Sequence, residues 1–229
     1  MRAPVWLAAA LIGAGLAFVF YRYPVLAVSE VQVSGLQRLP PESVLDRLGL
    51  EGRNILSIDL DGAAATLRQD PWVRDVHFQR QLPNRVVLSV EERIPAAVWH
   101  AGARFFLIDL DGTILEELSG PGSLPVVKDL DGSMPQPGDH RDPDAVALAV
   151  RLTELLPQEM GESAQSFEYL RYGGLVVETD KGKRARFGDA SDVLWKLAIW
   201  KAVLKEAGVQ HLKAGHVDLR FGDRPFFRP

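Results

Sequence analysis

Cysteine is absent from the 229 residues. That excludes disulfides, thiolate metal sites and cysteine nucleophiles, and it leaves the chain compatible with an oxidising compartment. No block of like charge interrupts the 26 basic and 30 acidic side chains, so the formal charge of −4 carries no nucleic-acid footprint. There is no internal repeat and no low-complexity tract. Histidine is sparse, and His77, His100, His140, His211 and His216 are spaced unlike a metal-ligand set. What the chain does have is a 47% hydrophobic content, enough for a packed core, in a length that suits one or two small domains.

Long apolar runs are missing everywhere except at the start. Residues 3–21, between Arg2 and Arg22, carry no charge. A bilayer core of about 30 Å needs roughly 20 apolar helical residues, so this stretch just reaches across. Trp6 stands near one end and Tyr21 and Tyr23 at the other, as interfacial aromatics do. The alternative is a signal peptide cleaved after Ala27, with Val25 and Ala27 as its small residues. Against cleavage, the apolar stretch exceeds a typical signal core, and Phe18, Val19, Phe20, Tyr21 and Arg22 are bulky or charged where small neutral residues are usual. Orientation is weakly encoded, because Arg2 and the α-amino group balance Arg22. With few residues ahead of the span, almost all of the protein is expected on one side of the membrane.

Beyond Pro24 the pattern turns to short segments. Residues 30–35 alternate and end on Gly35, predicting a strand and a turn. Pro40-Pro41 opens a helix through Leu48, with Val44, Leu45 and Leu48 on one face and Gly49 as its stop. A second helix over 59–69 has Asp59 or Asp61 as cap, Ala63, Ala64 and Leu67 inward, and Asp70-Pro71 as terminator. Residues 73–80 and 85–92 read as a hairpin turning at Leu82-Pro83-Asn84. Pro95 then interrupts, and strands follow at 96–100, 104–110, 113–117 and 125–127. A loop rich in Pro, Gly and Asp (129–142) leads to a helix over 144–156 with Val146, Ala149, Val150 and Leu152 inward. Strands at 167–171, 175–179 and 185–187 precede a helix capped by Ser191 or Asp192, running to Ala207, with Leu194, Leu197, Ala198, Lys201 and Leu204 at three- and four-residue spacing. Residues 216–221 form a last strand.

Several of these segments, in this order, resemble the FtsQ/DivIB family. Val31 to Gly35 followed by Arg53 to Asp59 looks like the opening of a POTRA domain. Asp70-Pro71-Trp72-Val73-Arg74-Asp75-Val76, Arg80 to Val86, and Val90 to Trp99 are similar to that family's version of it. Phe105 to Ile114 fits the first hairpin of the family's second domain, and Val217-Asp218-Leu219-Arg220-Phe221 fits its last strand. The resemblance implies an α+β chain: a tail and transmembrane helix over 1–27, a POTRA domain of order β-α-α-β-β over 28–93, and a mostly antiparallel β domain with flanking helices over 94–229. It implies a scaffold with no catalytic residue, cofactor or metal, anchored in the cell inner membrane with its N-terminus cytoplasmic and its bulk extracytoplasmic at the division septum. It also implies that the β domain binds partner membrane proteins such as FtsB and FtsL. The runner-up is a POTRA-type chaperone or receptor for secreted or outer-membrane polypeptides.

Two motifs point elsewhere. Phe106-Leu107-Ile108-Asp109-Leu110-Asp111-Gly112-Thr113 matches the haloacid-dehalogenase phosphatase signature, in which Asp109 would attack phosphorus, Asp111 would serve as acid and base, and Mg²⁺ would bridge. Gly188-Asp189-Ala190-Ser191-Asp192 resembles that family's later acidic motif. The competing reading is a hairpin turn at Asp111-Gly112. Asp129, Asp131, Asp139, Asp142 and Asp144 crowd one loop, as a Ca²⁺ site or, in keeping with their spacing, a solvated turn. Trp195 and Trp200 face different sides of one helix, one exposed and one packed.

The partner site is expected on the final strand. Val217, Leu219 and Phe221 share one face, and Asp218 and Arg220 the other. Alternation alone makes the first set core. With no later strand expected to cover the edge, a partner strand pairs there, Phe221, Phe226 or Phe227 covers its apolar side chains, and Arg220 meets an acidic partner residue.

Overall fold

Pro41 sets φ at the first helical position, and Gly49 takes the left-handed conformation that ends the helix, its N–H closing on the Leu45 carbonyl. These two residues bound α1 (Pro41–Leu48). Asp59 caps α2 (Leu60–Leu67) by accepting the Gly62 N–H at 2.9 Å. In this computed structural model, residues 9–15, 18, 25–209, 216–220 and 226–228 are described. The expected span over 3–21 lies largely outside them; within it, residues 9–15 and 18 are helical. Among the described residues no helix is long and apolar enough to cross a membrane.

The chain divides into two compact units, residues 1–92 and 93–229. In the first, β1 (Glu30–Ser34) runs parallel to β3 (Arg85–Glu92), and β2 (Val73–Gln81) closes the antiparallel hairpin on the other side of β3. The order β1-β3-β2 leaves β1 and β2 as edges. The helices bury Val44, Leu48, Leu60, Ala64 and Leu67 against Val76, Val86, Leu88 and Val90 of the sheet. Alternation along β3 accounts for this, since Val86, Leu88 and Val90 share one face. Arg80 donates to the carbonyls of Ile55 and Ile58 at 3.0 and 2.8 Å, satisfying a loop that no regular element pairs.

The second unit is a nine-stranded sheet in the order β12-β11-β10-β9-β8-β7-β4-β5-β6. β4 (Pro95–Ala101), β5 (Arg104–Asp109) and β6 (Ile114–Leu118) form an antiparallel meander. β7 (Val126–Asp129) lies parallel to β4 and to β8 (Ala164–Leu170), which continues antiparallel into β9 (Gly174–Thr179) and β10 (Arg184–Gly188). β11 (His216–Asp218) runs parallel to β10, and β12 (Phe226–Arg228) antiparallel to β11. Parallel neighbours require a crossover, and helices supply it twice: α3 (Pro143–Met160) between β7 and β8, and α4 (Val193–Val209) between β10 and β11. Five of the eight strand pairings are antiparallel, which makes the unit a mostly antiparallel member of the α+β class. One core joins Trp99, Phe106, Leu148, Leu152, Phe187 and Trp200 from both helices and the sheet.

Three expectations change. Pro95 does not interrupt but begins β4, where its missing N–H falls at a register shift opposite Asp109. α3 continues past Leu156 with Pro157 inside it, because a proline in the last turn forfeits one hydrogen bond and Gly161 still closes the helix on the Pro157 carbonyl. In α4 the buried side consists of Val193, Lys196, Leu197, Trp200 and Ala207, so Leu194, Ala198 and Lys201 of the expected stripe face solvent.

Candidate interaction edge

At one end of the nine-stranded sheet, β11 carries the residues expected to meet a partner. Val217 and Leu219 are fully buried in the core, and the Leu219 N–H donates to the Arg186 carbonyl at 2.8 Å. Asp218 turns outward and holds Arg220 in a short loop-back pair, with Nη2 to Oδ2 at 2.7 Å and Nε to Oδ1 at 3.0 Å. Burial pushes the Asp218 carboxyl up, but hydrogen bonds from Arg220 outweigh it and the net shift is downward. Arg220, just past β11, is thus held by the Asp218 carboxylate. Phe221 lies outside the described residues.

The premise that β11 has an open edge is corrected. Val217 pairs with Phe227 and Asp218 with Phe226, so β12 covers β11 and becomes the terminal strand itself. The stretch after Phe221 read as too short for a further element, and β12 has only three residues, beneath the length at which alternation is legible. Arg228, paired with His216, joins the edge without having been anticipated. Burial, with Arg186 and Arg184 nearby, lowers the His216 pKa and keeps it neutral at neutral pH.

Glycines let this end of the sheet close up. Gly174, at φ +67°, and Gly188, at φ +78°, lie back to back: a Cβ on Gly174 would stand 2.2 Å from the Gly188 carbonyl oxygen, and one on Gly188 would stand 2.8 Å from Arg220 Cγ.

The phosphatase-like motif has a different geometry from its signature. Asp109 is 3% exposed, and its two oxygens take the Thr113 N–H at 2.7 Å and the Arg93 guanidinium at 2.6 Å. Arg93 also reaches Asp111, at 3.0 Å. Gly112, at φ +80°, forms the tight turn, with Arg141 donating its N–H to the Gly112 carbonyl. β5 is antiparallel to both of its neighbours, not the first strand of a parallel sheet. The later acidic motif follows β10, five strand spacings away, or roughly 24 Å. There Asp189 accepts from Ser191 and Lys196, and these bonds lower its pKa to about 2. The loop aspartates are occupied by local bonds: Asp129 with Trp99 Nε1 and the Asp131 N–H, Asp131 with the Arg171 N–H, Asp139 with the Gln136 N–H, and Asp142 with the Asp144 N–H as the α3 cap. Tyr169, buried beside Asp142, has its hydroxyl pushed up to about 12. His77 meets Asp75, His100 stacks on Phe105 and His140 reaches Thr113. His211 lies outside the described residues.

Comparison with known proteins matches both units. Residues 26–93 fit the family described as POTRA domain, FtsQ-type. Residues 97–220 fit the one described as Cell division protein FtsQ/DivIB, C-terminal. Proteins named Cell division protein FtsQ are similar along most of the chain: one from Chloroflexus aggregans is 29% identical over 181 residues, covering 78% of this chain and 66% of its own. Another, from Myxococcus fulvus, is 29% identical over 210 residues, covering 88% and 72%. A third, from Corynebacterium glutamicum, is 26% identical over 186 residues, covering 81% and 82%. The match thus spans just under two thirds of the Chloroflexus protein's length. With a POTRA domain in front and the C-terminal match alone taking in more than half of its residues, the chain belongs to the FtsQ/DivIB cell-division family.

Proposed function

We propose that this chain is a non-catalytic scaffold of the septal division machinery. A single N-terminal helix holds it in the cell inner membrane with the N-terminus cytoplasmic and both units extracytoplasmic. It captures partner membrane proteins such as FtsB and FtsL by strand addition at the β12 end of the sheet. The observation that carries the reading is that β12 ends a nine-stranded sheet with no strand beyond it among the described residues. A terminal strand presents unpaired N–H and C=O groups, and an extended segment adds to them with alternate side chains giving specificity. The Val217 and Leu219 anchors hold β11, and through it β12, in place before a partner arrives, which lowers the ordering cost of binding. The residues proposed for the interface are Val217, Asp218, Leu219, Arg220, Phe221, Phe226 and Phe227.

Deleting residues 222–229 from the full chain removes β12. Capture of an FtsB–FtsL pair should weaken by at least about 30-fold in Kd, the consequence of losing a hot spot of roughly 2 kcal/mol, while the melting temperature of the rest is kept. Wild-type affinity in the deletion variant would refute the assignment and direct attention to the β1 edge of the three-stranded sheet.

A further inference from the structure

From residue 25 to residue 92 the chain leaves three large apolar side chains exposed: Val25 at 41%, Leu56 at 61% and Leu82 at 66%. All three lie at one end of the first unit. Ala27 bridges Asn54 in antiparallel register and the Ile55 N–H donates to the Leu26 carbonyl, so the same register sets Val25 opposite Leu56. Leu82 stands in the turn between β2 and β3, beside them. Arg80, two residues before it, donates to the Ile55 and Ile58 carbonyls, and the Ser29 N–H donates to the Asn84 carbonyl at 3.0 Å. β1 runs away from this turn parallel to β3, and Arg38 meets Glu92 at the opposite end, where Gln37 is exposed. Single exposed apolar side chains need no account, but here every one is gathered where the chain enters the unit.

We propose that this end of the first unit rests on the lipid bilayer, with Val25, Leu56 and Leu82 in the interfacial layer. The inference depends on the membrane anchor of the proposed function and goes beyond it, giving the folded unit a lipid contact of its own. Chain length says what covers the patch. The uncharged stretch ends at residue 21, and the four residue steps to Val25 reach at most about 14 Å. Tyr23, of an interfacial residue type, is two steps away, or at most about 7 Å. The interfacial layer on each side of the hydrocarbon core is itself roughly 5–8 Å deep. A patch tethered so closely meets the bilayer at high effective concentration, so three side chains suffice where an untethered surface needs a broad apolar face. Charge neither drives nor opposes the contact: Glu30 and Arg85 pair at 2.8 Å, and Glu51 and Arg53 flank Gly52 with opposite sign. The contact is therefore apolar and needs no anionic lipid, unlike polybasic docking.

The absence of cysteine makes the test direct, because each introduced thiol carries the only nitroxide label. Full-length Leu11→Cys, Gln37→Cys, Leu56→Cys and Leu82→Cys are reconstituted separately in phosphatidylcholine vesicles. Each label's accessibility to oxygen, which concentrates in lipid, is compared with that to a water-soluble nickel chelate. Labels at 56 and 82 should favour oxygen, as the label at 11 in the anchor does, and the label at 37 should favour the chelate. A label on exposed Ser57 controls for the apolarity of the nitroxide itself. Its preference for oxygen should be lost when Leu56→Glu and Leu82→Glu are combined, with melting temperature kept because both side chains are exposed. If 11 favours oxygen while 56 and 82 match 37, or if the Ser57 label ignores the double substitution, the lipid contact is overturned and the anchor stands. If 11 also favours the chelate, anchor and contact fall together. Labels at 56 and 82 shielded from both reagents also overturn the contact, and would assign the patch to a second copy of the chain.

Discussion

The Trp72 indole is 8% exposed, with the Arg38 guanidinium 4.0 Å above its ring centroid. Its backbone N–H donates to Asp70, and Asp70 in turn holds Arg47 of α1 at 2.7 Å. A single side chain thus sits where α2 hands over to β2, with a stacked cation as its lid. Trp72→Ala should cost about 3–5 kcal/mol, a large share of the roughly 5–15 kcal/mol of an ordinary domain. Chemical denaturation of the full chain, followed by circular dichroism, is the measurement; an unchanged first-unit transition would mean the indole contributes no packing. Asp109 is the counterpart in the second unit. Its sequence context suits a nucleophile, yet both oxygens are committed, one to the Thr113 turn and one to Arg93. A carboxylate holding a turn N–H and a guanidinium in a nearly closed site is a structural post, and its residue type alone could not distinguish the two roles.

At the level of elements, the loop between β10 and α4 shows how a buried charge is tolerated. Lys196 is only 4% exposed, and its ammonium is satisfied by the Asp189 carboxylate and carbonyl and by the Ser191 hydroxyl. The Lys196 hydrogen bond is the main reason the Asp189 pKa falls to about 2, from an ordinary 3.8. The carboxyl is depressed, so its stabilising contribution is complete above about pH 4 and is lost as pH falls through about 2. An NMR titration of the Asp189 carboxyl carbon should therefore have its midpoint near 2 in the wild type and return toward the ordinary value in Lys196→Met. An unchanged midpoint in the variant would assign the shift to Ser191 instead. Elements of this kind were legible in the sequence to differing degrees. Pro41, Gly49, Asp59 and the alternation of β3 are local signals, and the helices and strands they predict are present. The insertion of β7 between β4 and β8, and the pairing of β11 with β10, depend on contacts distant in sequence that no local pattern encodes. The rotation of the buried side of α4 was hidden because Lys196 is buried while Leu194 and Trp195 are exposed, so neither apolar nor charged positions mark a single face. For the candidate site, the alternation of Val217, Asp218 and Leu219 told inward from outward correctly, while β12 was too short to read.

For the whole molecule the open choice is between an anchored chain and one cleaved after Ala27, and the fold of the first unit bears on it. Residues 26–28 are stitched into that unit rather than leading up to it. The Leu26 carbonyl accepts the Ile55 N–H at 2.8 Å, Val28 exchanges bonds with the 52–53 backbone, and Ala27 bridges Asn54. Val28 and Ile55 are both buried in the core. Cleavage after Ala27 would remove the acceptor of a fully buried N–H, at a cost of about 1–3 kcal/mol, and put a new charged amine on the buried Val28 itself. A cut there damages the unit it releases, whereas an uncut chain keeps the bonds that residues 26–28 make to that unit. We therefore expect an uncleaved protein that stays in the membrane pellet after carbonate extraction and retains its first residues by mass spectrometry of the intact chain. A reporter fused after Pro229 should be active only outside the cytoplasm. A mature N-terminus at Val28, with the protein in the soluble fraction, would refute the anchor.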